Sequence, residues 1–154
     1  MTLFLARLRS TPARTFFLYP LSVCLFSALG NRGRLVLDLR FAPIMAWGYL
    51  EYRLCGNYRQ DLHAGSRGME RLPDRIIRSG PYGYTRNPMY LGHLIFMFGL
   101  ALVTRSKLAW GILLANAPWF HWRVLADEAR LKERFGAEYE DYCRRVKRWV
   151  PFVL

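Results

Sequence analysis

The sequence predicts an all-α fold, an integral membrane helix bundle of about four transmembrane helices with a cytoplasmic helical extension at its C-terminal side. Three observations carry this. Apolar runs recur at 16–29, 41–50, 88–104 and 108–122 of the 154 residues, the layout of a small helical membrane protein. Stretches dense in arginine separate the runs. Trp47, Trp110, Trp119, Trp122, Tyr49, Tyr52 and Tyr90 fall near the ends of the runs, where amphipathic rings favour the headgroup level of a bilayer.

The formal net charge of +12 would point to nucleic acid in a soluble domain. Its placement points elsewhere. Arg7, Arg9 and Arg14 precede the first run, seven arginines from Arg53 to Arg86 lie between the second and third, and eight basic residues from Arg123 to Arg148 follow the fourth. Only Arg32, Arg34, Arg105 and Lys107 occupy the two short connections. By the positive-inside rule, both termini and the middle loop are expected in the cytoplasm, in a multi-pass protein whose partner is the bilayer rather than nucleic acid. Cys24, Cys55 and Cys143 are too scattered for a disulfide framework or a zinc site, and no metal is expected.

One domain is expected over 1–154, in four parts. Residues 1–54 hold the first two spans. The first is read as a retained span rather than a cleaved leader, because more membrane sequence follows it. The second is expected from about Leu35 to Leu54, with a bend near Pro43 and with Asp38 and Arg40 paired or snorkelling near the outer interface. Residues 55–87 form a cytoplasmic loop, too rich in Gly and Pro for one helix, with a turn at "SGPYG". Residues 88–126 form a hairpin of spans three and four. Residues 127–154 supply C-terminal helices, with Gly136 ending one and Tyr139, Tyr142 and Val146 on one side of the next.

Two groups of polar residues stand out. Asn87-Pro88 starts the third span as an N-cap followed by a proline at the first helical position, and exposed N–H groups there also attract anions. Tyr90 and His93 share a face three residues apart. An ionisable residue in a span is a functional candidate, so His93 is a candidate site residue beside its simpler reading as a packed histidine. Farther on, Val124, Leu131 and Phe135 form one helical face, and Asp127 and Glu128 interrupt it. That acidic pair serves either as ion-pair partners for Arg123, Arg130 and Lys132 or as part of a polar pocket. No phosphate-binding glycine loop, nucleophile elbow or metal-ligand spacing is present.

Taken together, "LPDRIIRSGPYGYTRNPMYLGH" and "DEARLKERFGAEYEDYCRRVKRWVP" resemble the C-terminal half of the isoprenylcysteine carboxyl methyltransferase family, which is related to the phospholipid methyltransferases. The resemblance covers about residues 72–152. It implies S-adenosylmethionine as cofactor, held by Asp74, Arg75, Ile76, Ile77, Tyr82, Asn87, Pro88, Met89, Tyr90, Asp127 and Glu128, with Arg123 positioning the acceptor. It implies methyl transfer to a lipophilic or small membrane-accessible acceptor, such as an isoprenylcysteine carboxylate, a phospholipid amine or a thiol. Two residues depart from the family's pattern: Asn87 stands where a histidine is usual, and Asp127 replaces the first glutamate of a Glu-Glu pair. The competing readings are a non-catalytic membrane adaptor bundle and a membrane enzyme like the sterol reductases.

Overall fold

Proline and glycine mark where helices start and stop in this chain. The computed structural model describes residues 10–30, 33–62 and 73–149, and every regular element among them is helical. Helix α1 (Thr11–Gly30) starts at Ser10, whose hydroxyl accepts from the Ala13 amide, with Pro12 in the first turn where its missing N–H costs nothing. It widens into a π-helical stretch over Arg14–Leu18. Helix α2 (Ala42–Asp61) follows a 3-10 turn at Leu39–Phe41. Helix α3 (Pro88–Thr104) begins on its proline, after a second 3-10 turn at Gly80–Gly83. Helix α4 (Lys107–Phe135) carries Pro118 inside it and is about 43 Å long at 1.5 Å per residue. It stops at Gly136, which takes φ +51°, a backbone conformation that side chains with a Cβ disfavour. Helix α5 (Ala137–Arg145) then places Glu138 and Glu140 in its first turn and Arg144 and Arg145 in its last, the arrangement the helix dipole favours.

The all-α expectation holds. On length and composition alone, α1 is the one described helix able to cross a bilayer, and α3 is a shorter apolar helix. The other two expected spans are diluted: α2 turns polar from Glu51 onward, and α4 mixes Asn116, Pro118 and His121 into its apolar half. The second span also starts later than expected. Residues 34–38 are not helical, so Pro43 sits in the first turn of α2 and not at a bend within it. Asp38 is used outside the helix, accepting from the Arg40 backbone amide and from the Arg40 and Arg105 guanidinium groups. The helix continues to Asp61, beyond the expected end at Leu54. Likewise α4 runs unbroken through the expected boundary at 126, because nothing between Pro118 and Gly136 interrupts its hydrogen bonding.

The chain divides into two units, Met1–Tyr49 with Gly92–Ala117, and Leu50–Leu91 with Pro118–Leu154. In the first unit, Val23, Leu100, Ala101 and Ala109 form a buried cluster against Tyr19, Met45, Leu108 and Ile112. Glycine sets the approach of α2 to α3. A Cβ on Gly48 would meet the Gly92 carbonyl oxygen at 2.7 Å, and one on Gly99 would meet the Met45 backbone nitrogen at 2.5 Å. Phe16 fills the space beside this crossing, 4.9 Å from the Phe96 ring and stacked 4.7 Å from His93. On α1, Phe17, Leu21, Leu25 and Leu29 are all more than half exposed and recur every four residues, so one apolar stripe faces outward.

In the second unit, Tyr139, Tyr142 and Val146 are buried against Ile76, Leu131, Phe135 and Cys143. The same three residues were expected on one side of the last helix. Tyr142 donates to the Tyr82 carbonyl at 2.6 Å, which ties α5 to the turn before α3. Gly80 takes φ +58°, and the Tyr58 ring lies where its Cβ would be.

These contacts predict opposite outcomes for two glycine substitutions. Gly48→Ala would force α2 away from α3 and cost about 1 to 3 kcal/mol. Gly111→Ala, where a Cβ meets nothing within 4 Å, would be neutral or stabilising by up to about 1 kcal/mol. Thermal unfolding in detergent checks both, and an unchanged midpoint for Gly48→Ala would contradict the close approach.

Candidate functional site

The second unit contains a cleft of about 680 Å³ of space between atoms, part of it open to solvent. Its walls come from three stretches of chain. Arg59 projects from the last turn of α2. The segment before and at the start of α3 supplies Ile76, Ile77, Tyr82, Asn87, Pro88, Met89 and Tyr90, and the far half of α4 with α5 supplies Asp127, Leu131, Tyr139 and Tyr142. Most of this lining is apolar or aromatic. Its few charges are therefore placed where they act strongly.

Tyr90 and Asp127 form one polar edge. The Tyr90 hydroxyl donates to Asp127 Oδ2 at 2.6 Å, a short bond of the kind expected when the acceptor is ionised. Arg123 and Arg130 approach the same carboxylate at 3.6 and 3.8 Å from neighbouring turns of α4. So the ion pairs foreseen for Asp127 exist, and they leave it on the cleft wall.

Glu128 is used differently. It is 8% exposed and accepts from Arg86 at 3.1 Å on each oxygen, from Arg148 at 3.0 and 3.1 Å, and from the Asn87 amide nitrogen at 3.1 Å. Arg86 also donates to the carbonyls of Cys143 and Val146 at the C-terminal end of α5, which neutralises acceptors that the helix leaves unpaired. The clasp is completed by backbone. The Arg86 amide donates to the Lys147 carbonyl at 2.9 Å, and Thr85 Oγ1 donates to the Arg148 carbonyl at 2.9 Å. Beyond it, Trp149 Nε1 donates to His121 Nδ1 at 3.2 Å. Burial alone would push the Glu128 carboxyl up, but hydrogen bonds from Arg148 and Arg86 outweigh it and hold its pKa below the ordinary value of 4.5.

Of the residues singled out in the sequence, Ile76, Ile77, Tyr82, Asn87, Pro88, Met89, Tyr90 and Asp127 are brought together on this cleft. Others are placed apart. Asp74 is exposed and pairs with Arg134 at 3.6 Å, while Arg75 donates to the Leu62 carbonyl. Glu128 lies behind the wall in its clasp, and Arg123 sits beside two lining residues, Asp127 and the Tyr90 hydroxyl. His93 is buried in the first unit against Phe16. Sequence reasoning did not single out Arg59, Pro73 or Arg86 as site residues. Arg59 had a faint signal, as an arginine on the continuation of an apolar helix; Arg86 had the stronger one, directly before the Asn-Pro pair.

A cleft walled by the start of one apolar helix and by a carboxylate on another has the apolar lining and few convergent polar groups of a small-molecule site. The chain belongs to the phospholipid methyltransferase family, whose model matches residues 44–138. It is 33% identical over 81 residues to protein-S-isoprenylcysteine O-methyltransferase B of Arabidopsis thaliana, covering 51% of this chain and 41% of that one. It is 31% identical over 80 residues to the protein-S-isoprenylcysteine O-methyltransferase of Mus musculus, covering 51% of this chain and 28% of that one. A nickel-cobalt-cadmium resistance protein of Alcaligenes xylosoxydans xylosoxydans is 28% identical over 81 residues, covering 53% and 38%. The chain spans less than half the length of these relatives. No solved structure matches it.

The clasp has a pH signature. Because the folded pKa of Glu128 is lowered, its contribution is present above the ordinary carboxylate value and is lost as pH falls through the folded one. Glu128→Ala, which leaves two arginines facing an empty site, would cost about 3 to 5 kcal/mol at neutral pH. For Glu128→Gln, the difference in thermal midpoint from the unmodified protein would be constant above about pH 5 and shrink below about pH 4. A difference that grows on acidification would contradict this reading.

Proposed function

We propose that this chain is an S-adenosylmethionine-dependent methyltransferase, acting on a lipophilic or small membrane-accessible acceptor at the cytoplasmic face of a membrane. In this reading it crosses the bilayer about four times with both termini in the cytoplasm. The acceptor is an isoprenylcysteine carboxylate, a phospholipid amine or a thiol. The observation that carries the reading is the cleft itself. Residues from two distant stretches, Tyr82 with Asn87–Tyr90 and Asp127, meet on one wall, and both stretches are those that resemble the family. The outward stripe of α1 supports the membrane setting, since so long an apolar stripe is costly in water.

The residues present fit the cofactor. Ile76, Ile77 and Leu131 with Tyr82, Tyr139 and Tyr142 offer apolar and aromatic surface to a purine nucleoside, and Asp127 offers a carboxylate to an ammonium group or to ribose hydroxyls. When bound, S-adenosylmethionine supplies a methyl group activated by its sulfonium. What the chain must supply is alignment and dryness: the acceptor atom held about 3 to 3.5 Å from the methyl carbon, with water kept out. Tyr90 fixes the Asp127 carboxylate, so that contact is preorganised. Arg123 pairs with Asp127 at 3.6 Å, and in this reading its guanidinium orients an anionic acceptor. No residue needs to act as a strong base.

Calorimetry with the detergent-solubilised protein is expected to detect S-adenosylmethionine binding. Tyr90→Phe would weaken it by about threefold to tenfold and Asp127→Ala by about tenfold or more, following the loss of one or several hydrogen bonds to a charged group. Membranes containing the protein, incubated with methyl-labelled cofactor, would place label in lipid, thiol or protein according to the acceptor. No binding to the unmodified protein would defeat the reading.

A further inference from the structure

The two short connections of the first unit meet at one end of its helices. The Asp38 amide donates to the Val103 carbonyl at 2.7 Å, which ties the segment before α2 to the last turn of α3. Asp38 is the single acidic residue in the sequence of this unit, whereas Arg34, Arg40, Arg105 and Lys107 all lie on or beside the connections. Arg40 grips Asp38 with a fork, Nε donating to Oδ1 at 2.9 Å and Nη2 to Oδ2 at 2.8 Å. Arg105 Nη2 donates to that same Oδ2. Two guanidinium groups therefore converge on one carboxylate oxygen, and their combined charge exceeds that of the carboxylate.

The excess charge faces outward. The side chains of Arg40 and Arg105 stay 77% and 61% exposed, while that of Asp38 is 10% exposed beneath them. Leu35, Val36, Leu37 and Leu39, which flank Asp38 in the chain, are exposed as well. Water solvates the cations but not this apolar collar; a bilayer interface accommodates both. Among the described residues, Arg105 alone combines a Cβ with a left-handed backbone, φ +49°. It directly follows α3, where glycine is the usual terminator, so backbone ease is given up there for a guanidinium.

We propose that Arg40 and Arg105 bind the phosphate of an anionic phospholipid, with Leu35, Val36, Leu37 and Leu39 against its acyl chains. Asp38 takes Nε and Nη2 of Arg40 and Nη2 of Arg105, so Nη1 of each remains for the phosphate oxygens. The apolar collar selects a lipid over free phosphate. The inference rests on the membrane setting of the reading above and is independent of methyl transfer. In that setting the site lies on the face away from the cytoplasm.

The test follows thermal unfolding of the full chain in detergent as phosphatidylglycerol, phosphatidylcholine or inorganic phosphate is added. Phosphatidylglycerol should raise the midpoint in a concentration-dependent way, and the other two, at equal concentration, should not. Arg40→Gln and Arg105→Gln should each raise the half-saturating phosphatidylglycerol concentration about tenfold or more. Arg53→Gln, which removes an exposed charge of α2 outside the cluster, should leave it unchanged. Arg40→Gln keeps Asp38 paired with Arg105, so the test stands even should Arg105→Gln not fold. An equal response to phosphatidylcholine or inorganic phosphate, an unchanged response in Arg40→Gln, or the same loss in Arg53→Gln would overturn the assignment and leave the methyl-donor reading in place. Recovery of the chain in the aqueous fraction of lysed cells, without detergent, would overturn the membrane setting and the lipid site together.

Discussion

The Glu128 carboxylate is the constraint from which the second unit is organised. A buried carboxylate is tolerated only when its oxygens are satisfied by charged donors, and here Arg86, Arg148 and Asn87 satisfy them from two other stretches of chain. Each donor brings its own backbone along. Arg86 and Asn87 bring the start of α3, and Arg148 brings the strand-like segment that pairs Lys147 with Thr85. The wall of the cleft is thus a by-product of neutralising one charge. Asp127, one residue earlier and rotated by 100° on the same helix, is left to face the cleft.

That division of labour between adjacent acidic residues gives physical content to an acidic pair on a helix. Neighbouring positions point in different directions, so one carboxylate can be structural while the other remains at the ligand's edge. The shorter side chain at position 127 suits the arrangement, since the Tyr90 hydroxyl closes the distance at 2.6 Å. Asn87 likewise has a double use: its carbonyl accepts from Leu91 as the first turn of α3 begins, while its side chain reaches sideways to Glu128. Capping and site-building are compatible because they use different atoms of one residue.

Much of this was legible in the sequence, for identifiable reasons. Helix type followed from apolar runs, Gly136 from the conformational freedom it alone supplies, and the Tyr139, Tyr142 and Val146 face from helical spacing. The meeting of Tyr82, Asn87–Tyr90 and Asp127 on one cleft was expected from the resemblance rather than from spacing. What stayed hidden depends on three-dimensional partners. Pro43 looked like a bend because the residues before it are apolar enough to be helical, yet Asp38 finds Arg105 and stops the helix short. Glu128 looked like a second ligand because sequence gives no direction to a side chain. Arg59 left only a faint signal because an arginine after an apolar run reads equally well as an interfacial anchor.

The clasp also fixes the order in which the cleft can be made. Arg86 reaches carbonyls 57 and 60 residues later in the chain, and Asn87 reaches one 61 residues later. Loops of that length close slowly compared with a helical turn. During synthesis the first turn of α3 therefore emerges and folds while Arg86 is still solvated, and the wall it belongs to acquires its final geometry only when Glu128 and then Arg148 arrive. The cleft wall is in this sense the last feature that the second unit gains, because its clasp waits on residues from both ends of that stretch.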